Sequence, residues 1–227
     1  RNGAEVTVIE HMDRVGKKIL STGNGRCNLT NYKMEEDCYR CGRKDFPMQV
    51  IRKVNVNETL EFFMELGIVP KDRNGYVYPN SDQAASVLDV LRTELERLKV
   101  RILLSCQIEK IEKKKNGGFL VHTDQGKVET DALILAAGSK AAPSTGSDGS
   151  GYEYARQLGH SVIKSLPALV QLRCQGNLYK QMAGIRTEAE VRLQADGITL
   201  ASDRGELQIT DYGLSGIPIF QVSRYAA

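Results

Sequence analysis

Tryptophan is absent from this 227-residue sequence, and phenylalanine and tyrosine together hold the aromatic content to 6%. A surface that stacks bases needs aromatics interleaved with a dense basic stripe, so no nucleic-acid partner is expected. Charge of one sign is equally scarce. The 31 Lys and Arg against 28 Asp and Glu leave +3, too little to drive binding to nucleic acid or to a membrane surface. No apolar run approaches the roughly 18 residues of a bilayer span, and no signal peptide opens the chain. The cysteines, Cys27, Cys38, Cys41, Cys106 and Cys174, are odd in number and irregular in spacing. They fit a reducing cytoplasm better than a disulfide framework. His11, His122 and His160 show no triad spacing. The chain does not open with Met, and Arg1 to Ala4 lead straight into a strand, so the numbering is expected to begin within a longer protein.

Against these absences stands a clear α/β pattern. Glu5 to Glu10 reads as a short buried parallel strand ending in an acid. Gly16 to Asn31 is polar, glycine-rich and without periodicity, and reads as a long ordered loop. Asn57 to Leu66 reads as a helix capped by Asn57 and stopped by Gly67. After Pro79, with Asn80 or Ser81 as cap, an apolar stripe through Ala84, Val87, Leu88, Leu91, Leu95 and Leu98 predicts the longest helix. Short strands follow at Arg101 to Leu104, Gln107 to Glu112, Phe119 to Thr123 and Lys127 to Thr130, with a turn at Asn116-Gly117-Gly118. The continuous run Ala132 to Ala136 predicts a strand buried on both faces and stopped by Gly138. Gly146 to Gly151 reads as a flexible loop, Tyr152 to Leu158 as a short helix, and Pro167 as a boundary. Beyond it, Ala189 to Leu193, Ile198 to Ala201 and Glu206 to Ile209 read as strands, with turns at Asp196-Gly197 and Asp203-Arg204-Gly205. The order strand, helix, strand, meander, buried strand is that of an FAD-type Rossmann domain, and other α/β folds can produce it too. The expected division is an incomplete nucleotide-binding domain over 1–165 and the start of a β-rich domain over 166–227.

A few residues have chemistry suited to a dinucleotide. Glu10 ends its strand where a carboxylate can accept from both hydroxyls of an adenosine ribose, or stand as a solvated acid. No G-x-G-x-x-G turn precedes it in the chain. In Ser21 to Asn31 the glycines permit close backbone approach to a flat ligand, and the Asn and hydroxyl groups supply donors and acceptors. A surface loop rich in turn residues is the alternative. Cys38-x-x-Cys41 invites a zinc reading, but no second close pair supports it, and no metal is expected. Arg26 can anchor an anionic substrate or form a salt bridge. Lys113 to Lys115 read as a solvated hairpin end.

The run Gly16-Lys17-Lys18-Ile19-Leu20-Ser21-Thr22-Gly23-Asn24-Gly25-Arg26-Cys27-Asn28-Leu29-Thr30-Asn31 resembles the signature of the HI0933-like (YhiN/BaiN) family of FAD-dependent oxidoreductases. The likeness continues at Gly75-Tyr76-Val77-Tyr78-Pro79, Ala136-Ala137-Gly138, Gly146 to Tyr152, Leu158-Gly159-His160, Pro167 to Val170, and Gly205 to Leu207 through Tyr212 to Gly216. It differs from the family at Ala137-Gly138-Ser139, where Thr-Gly-Gly is common, and at Asp211, where His is common. The resemblance implies FAD held by a two-dinucleotide-binding-type domain with an inserted β-rich domain. Under it, Glu10 holds the ribose, and Gly16, Lys17 and Lys18 lie near the pyrophosphate. Gly23, Gly25, Cys27 and Asn28 line the flavin, Ile108 meets adenine through its backbone, and Ala136, Ala137 and Gly138 pass under the cofactor. The implied activity is a two-electron exchange through flavin between a small organic substrate or NAD(P)H and an acceptor. Two other readings remain beside it: a flavin-containing RNA-modifying or RNA-binding protein, and a cofactor-free piece with a structural role.

Overall fold

The computed structural model describes residues 3–39, 42–43 and 45–226. They form two compact units, Arg1–Ser161 and Val162–Ala227. In the first unit β1 (Thr7–Ile9) pairs in parallel with β5 (Arg101–Leu103), and the ladder extends past β1 through Glu10 N–H to Leu103 O at 2.9 Å and Cys106 N–H to Glu10 O at 3.0 Å. The strand is shorter and less covered than expected: its residues are only half-buried and Val6 is exposed. Among the described residues β5 is its one hydrogen-bonded neighbour.

The stretch from Gly16 to Asn31 is not a plain loop. It holds α1 (Lys17–Ser21), a 3₁₀ turn (Thr22–Gly25) and β2 (Thr30–Asn31), laid against α4 and β4. Periodicity is blind to such short pieces, because five helical residues barely complete one turn. Next come α2 (Phe46–Ile51) and α3 (Val56–Glu65). The cap of α3 is Asn55, not Asn57. Its side chain accepts from Glu58 N–H while Glu58 accepts from Asn55 N–H, a reciprocal capping box. Gly67, at φ +89, stands just past the helix end as expected.

A hairpin of β3 (Pro70–Arg73) and β4 (Tyr76–Pro79) joins β2 in a three-stranded antiparallel sheet. It leads to α4 (Ala84–Arg97), whose Ala84 and Val87 pack with Cys27 and Ile68 in one core cluster. Neither Asn80 nor Ser81 caps α4; Gln83 stands at the N-cap without a side-chain bond. After β5, β6 (Ile108–Lys113), β7 (Phe119–Thr123) and β8 (Gly126–Thr130) form the expected meander. Ile111 and Val121 of the meander pack with Tyr154 of α5 (Ser150–Gln157) in a second cluster.

Residues 132–136 correct the sequence reading. They form no strand, and Ile134 is 89% exposed. A strand exists only through a hydrogen-bonded neighbour, and none of the described residues supplies one. The nominally flexible loop 146–151 is ordered by an Ala142–Ser147 bridge and by the start of α5.

The second unit carries β9 (Leu172–Arg173), α6 (Leu178–Gln181), β10 (Arg186–Ala195), β11 (Ile198–Thr210), β12 (Gly213–Gly216) and α7 (Ile217–Ser223). Its sheet runs β10-β11-β12-β9, antiparallel throughout. The turn at Asp196-Gly197 is present, both residues at positive φ. The turn expected at Asp203-Arg204-Gly205 is not. Those residues continue β11 straight through, with Gly205 opposite Ala189 and covered by Pro218 of α7. Glycine here serves close packing of a helix on a strand rather than a change of direction.

No helix among the described residues is long and apolar enough to cross a membrane. Cys27, Cys38, Cys106 and Cys174 are free thiols, whereas Cys41 lies outside the described residues, and with it the Cys38-x-x-Cys41 pair.

Candidate functional site

Two groups of expected residues gather after the end of β1. The first centres on Glu10. Its Oε1 accepts from Met12 N–H at 2.8 Å, so the carboxylate folds back over its own turn, and among the described residues no donor engages its second oxygen. The turn at Gly146 closes on it. A Cβ at Gly146 would stand 3.3 Å from Met12 Cγ, 3.6 Å from His11 Nε2 and 3.8 Å from Glu10 Oε1. Next to that turn, buried Ser147 presses on Gly138, and Gly151 packs against Ala137 Cβ. Glu10, Ala137 and Gly138 are therefore linked through residues 146–151. Ala136 is exposed at the edge of this group.

Ile108 belongs to the same region, but its backbone is already engaged. Its carbonyl accepts from Tyr154 Oη at 2.7 Å. Burial is the larger cause of a raised Tyr154 pKa, with the nearby Asp148 carboxylate adding to it. The Asp148 carboxyl is held below its ordinary range first by Ser150 N–H and then by the Ser150 hydroxyl, with a smaller contribution from His11.

The second group is the segment 16–28. Gly16, at φ +83, lies so close to α4 that any Cβ would run into Leu88 Cδ1. Lys17 Nζ pairs with Asp13 at 2.6 Å, which also depresses the Asp13 pKa. That cation is committed within the protein, whereas Lys18 is exposed. Gly23 and Asn24 both take left-handed backbone, as does Cys27 at φ 60. A Cβ on Gly23 would meet Asn28 N at 2.8 Å and Tyr78 Cε1 at 3.1 Å. Gly25, also at φ +83, faces open space. Cys27 is buried, whereas Gly25, Arg26 and Asn28 are exposed.

Asn28 is anchored by its amide. Nδ2 donates to Thr30 O at 3.3 Å and to Val77 O at 3.2 Å, leaving Oδ1 as its unspent polar atom. Leu29 N–H to Val77 O at 2.8 Å fastens the same corner.

These features fit a dinucleotide bearing a flat ring. Gly25 offers unobstructed backbone, Asn28 a positioned acceptor, and Glu10 a free carboxylate oxygen. Sequence reasoning misses the parts that build this frame: Met12, Asp13, Tyr78, Ser147, and Arg92, whose guanidinium donates to Val15 O at 2.7 Å. The signal for Ser147 was its place inside a glycine-rich motif; Arg92 carried none. A groove of about 560 Å³ lies elsewhere, between α5 and the meander, lined by Lys110, Glu112, Lys114, Leu120 and Leu158 among others. It contains none of the expected site residues. Two of the three lysines that line it are engaged with carboxylates, Lys110 with Glu112 and Lys114 with Glu129.

Among known proteins, the chain is 48% identical over 224 residues to the 3-dehydro-bile acid delta(4,6)-reductase of Clostridium scindens, covering 99% of this chain and 54% of that protein. It is 26% identical over 227 residues to the ribosomal RNA dihydrouridine synthase of Escherichia coli K12, covering 98% of this chain and 55% of that one. The same-named protein of Haemophilus influenzae is 24% identical over 229 residues, with 98% and 56% covered. The chain thus spans about half the length of the curated relatives it matches. The HI0933-like protein Rossmann domain matches residues 1–220. By that match, and by its likeness to the reductase along almost its whole length, the chain belongs to the HI0933-like Rossmann domain family.

Proposed function

We propose that this chain supplies the dinucleotide-binding part of an FAD-dependent oxidoreductase that moves two electrons between a small organic substrate and a second redox partner, with NAD(P)H as a candidate donor. The observation that carries the reading is the segment 22–28. It buries Cys27 against α4 and leaves Gly25, Arg26 and Asn28 exposed. The 48% identical relative, named as a reductase of a 3-dehydro-bile acid, supports an activity of this class.

When bound, FAD supplies the electron-carrying chemistry, and the protein supplies orientation and electrostatics. Glu10 accepts from the ribose hydroxyls through its free oxygen. Gly25 lets the ring approach the backbone, and Asn28 Oδ1 accepts from a ring N–H. Gly146 and Ser147 hold the turn that keeps Glu10 in place. Lys18 offsets phosphate charge; Lys17 contributes only if it exchanges Asp13 for phosphate. Arg26 is an exposed cation available to an anionic substrate.

The intact protein, expressed from its own gene and purified, is expected to be yellow, with oxidised-flavin bands near roughly 370 and 450 nm. A colourless protein that takes up no FAD on dialysis would overturn the reading. The relatives named as ribosomal RNA dihydrouridine synthases favour a second reading, reduction of a uracil in RNA. Retention of RNA with steep salt dependence is the result that reading requires.

A further inference from the structure

One face of the β3–β4 hairpin carries chemistry that cofactor binding does not use. The antiparallel register sets Lys71 opposite Tyr78 and Arg73 opposite Tyr76, and directly opposed residues share a face. Val77 and Pro79 occupy the other face and are buried. The cation and tyrosine face therefore looks away from the core, with Tyr76 51% exposed. It abuts the candidate site at Tyr78, the ring that stands against Gly23.

Asp82 already shows how this face grips a carboxylate. Its Oδ2 accepts from Lys71 Nζ at 3.2 Å and from an Arg73 terminal nitrogen. The grip is incomplete. Arg73 Nε and Asp82 Oδ1 are both buried without a partner, although guanidinium and carboxylate commonly engage at two points. Asp82 also holds left-handed backbone, at φ 53, a conformation that disfavours a residue with a side chain by about 1–2 kcal/mol. Two cations on one carboxylate leave a positive charge over.

We propose that Arg73 and Lys71 seat the carboxylate of a small planar organic substrate beside the 22–28 segment, with Tyr76 and Tyr78 flanking its ring and Asp82 as the internal group that this carboxylate displaces. The binding stands on the hairpin alone; what becomes of the substrate rests on the flavin reading above. A single anion fits better than a phosphate chain. Phosphate tracking needs a row of cations, and here, among the described residues, an acid sits between the two that the hairpin face carries.

The test is calorimetric titration of the intact protein with benzoate and with its neutral isostere benzamide. Benzoate is expected to bind about tenfold or more tightly than benzamide, the scale of one charge-assisted contact. Arg73→Gln is expected to weaken benzoate by about tenfold and leave benzamide unchanged, and Asp82→Asn to strengthen benzoate several-fold as the internal competitor loses its charge. Should either variant fail to fold, Lys71→Gln, on a side chain 40% exposed, carries the test, with a loss of about threefold or more expected. Equal binding of the two probes, or benzoate binding unchanged in Arg73→Gln or Lys71→Gln, overturns the proposal. So does binding of a 12-nucleotide RNA that depends on Arg73 while benzoate does not bind. A preparation without flavin bands that still binds benzoate through Arg73 would sink the flavin reading and leave this seat standing.

Discussion

Gly16 and Gly25 have the same φ of +83 in opposite surroundings, one against Leu88 and the other facing open space. Gly16→Ala adds overpacking against α4 to the backbone penalty, so it is expected to cost about 2–4 kcal/mol in urea unfolding. Gly25→Ala carries the backbone term alone, about 1–2 kcal/mol, and its larger effect is expected on FAD affinity. Equal stability losses for the two would deny Gly16 its packing role. The dense run of glycine and asparagine made residues 16–31 legible as a special backbone. It could not reveal which glycine is packed against a helix and which faces open space, because that depends on Leu88, more than sixty residues away. Lys17 likewise reads as a phosphate cation until Asp13 is seen beside it.

At the scale of elements, α3 and α5 have different N-terminal devices. Asn55→Ala removes half of a capping box and is expected to destabilise the first unit by about 1 kcal/mol, whereas Asn57→Ala, two residues on within the first turn, should be nearly silent in the same melt. Asp148, at the start of α5, has a folded pKa below its unfolded value through Ser150 N–H. Its contribution is present above the unfolded pKa and disappears as pH falls through the folded one. Asp148→Asn is therefore expected to be less stable than wild type at neutral pH, with the gap closing below roughly pH 4. A gap that persists into strong acid would remove the carboxylate from the account. Helices α3, α4 and α5 and the meander were legible because period and turn chemistry agree there. The misreadings at 132–136 and 203–205 share one cause. Apolar run and glycine are local signals, and whether a strand forms or a turn is made depends on neighbours: none for Ile134, and β10 with Pro218 for Gly205.

For the whole molecule, the joint between the units lies near Ser161. Ile163 and Leu166 that follow it are 91% and 60% exposed, so first cuts in limited proteolysis are expected between residues 160 and 170, with mass spectrometry giving the position. Early cuts within β10 or β11 instead would refute this division. The expected boundary at residue 165 came from Pro167, four residues beyond the observed one, since proline marks where regular structure stops rather than where contacts thin out. In the apolar run 132–136, Leu133 packs against the second core cluster but Ile134 and Leu135 stand exposed, which favours self-association. Ile134→Lys in this 227-residue chain is expected to lower concentration-dependent light scattering. The fastening of Leu29 and Asn28 to Val77 has a last consequence. The candidate ring-binding segment shares its hydrogen bonds with a hairpin that lies outside the parallel strands. Amide deuterium uptake along β4 should therefore slow when FAD is added, reporting the occupant from the side that does not touch it.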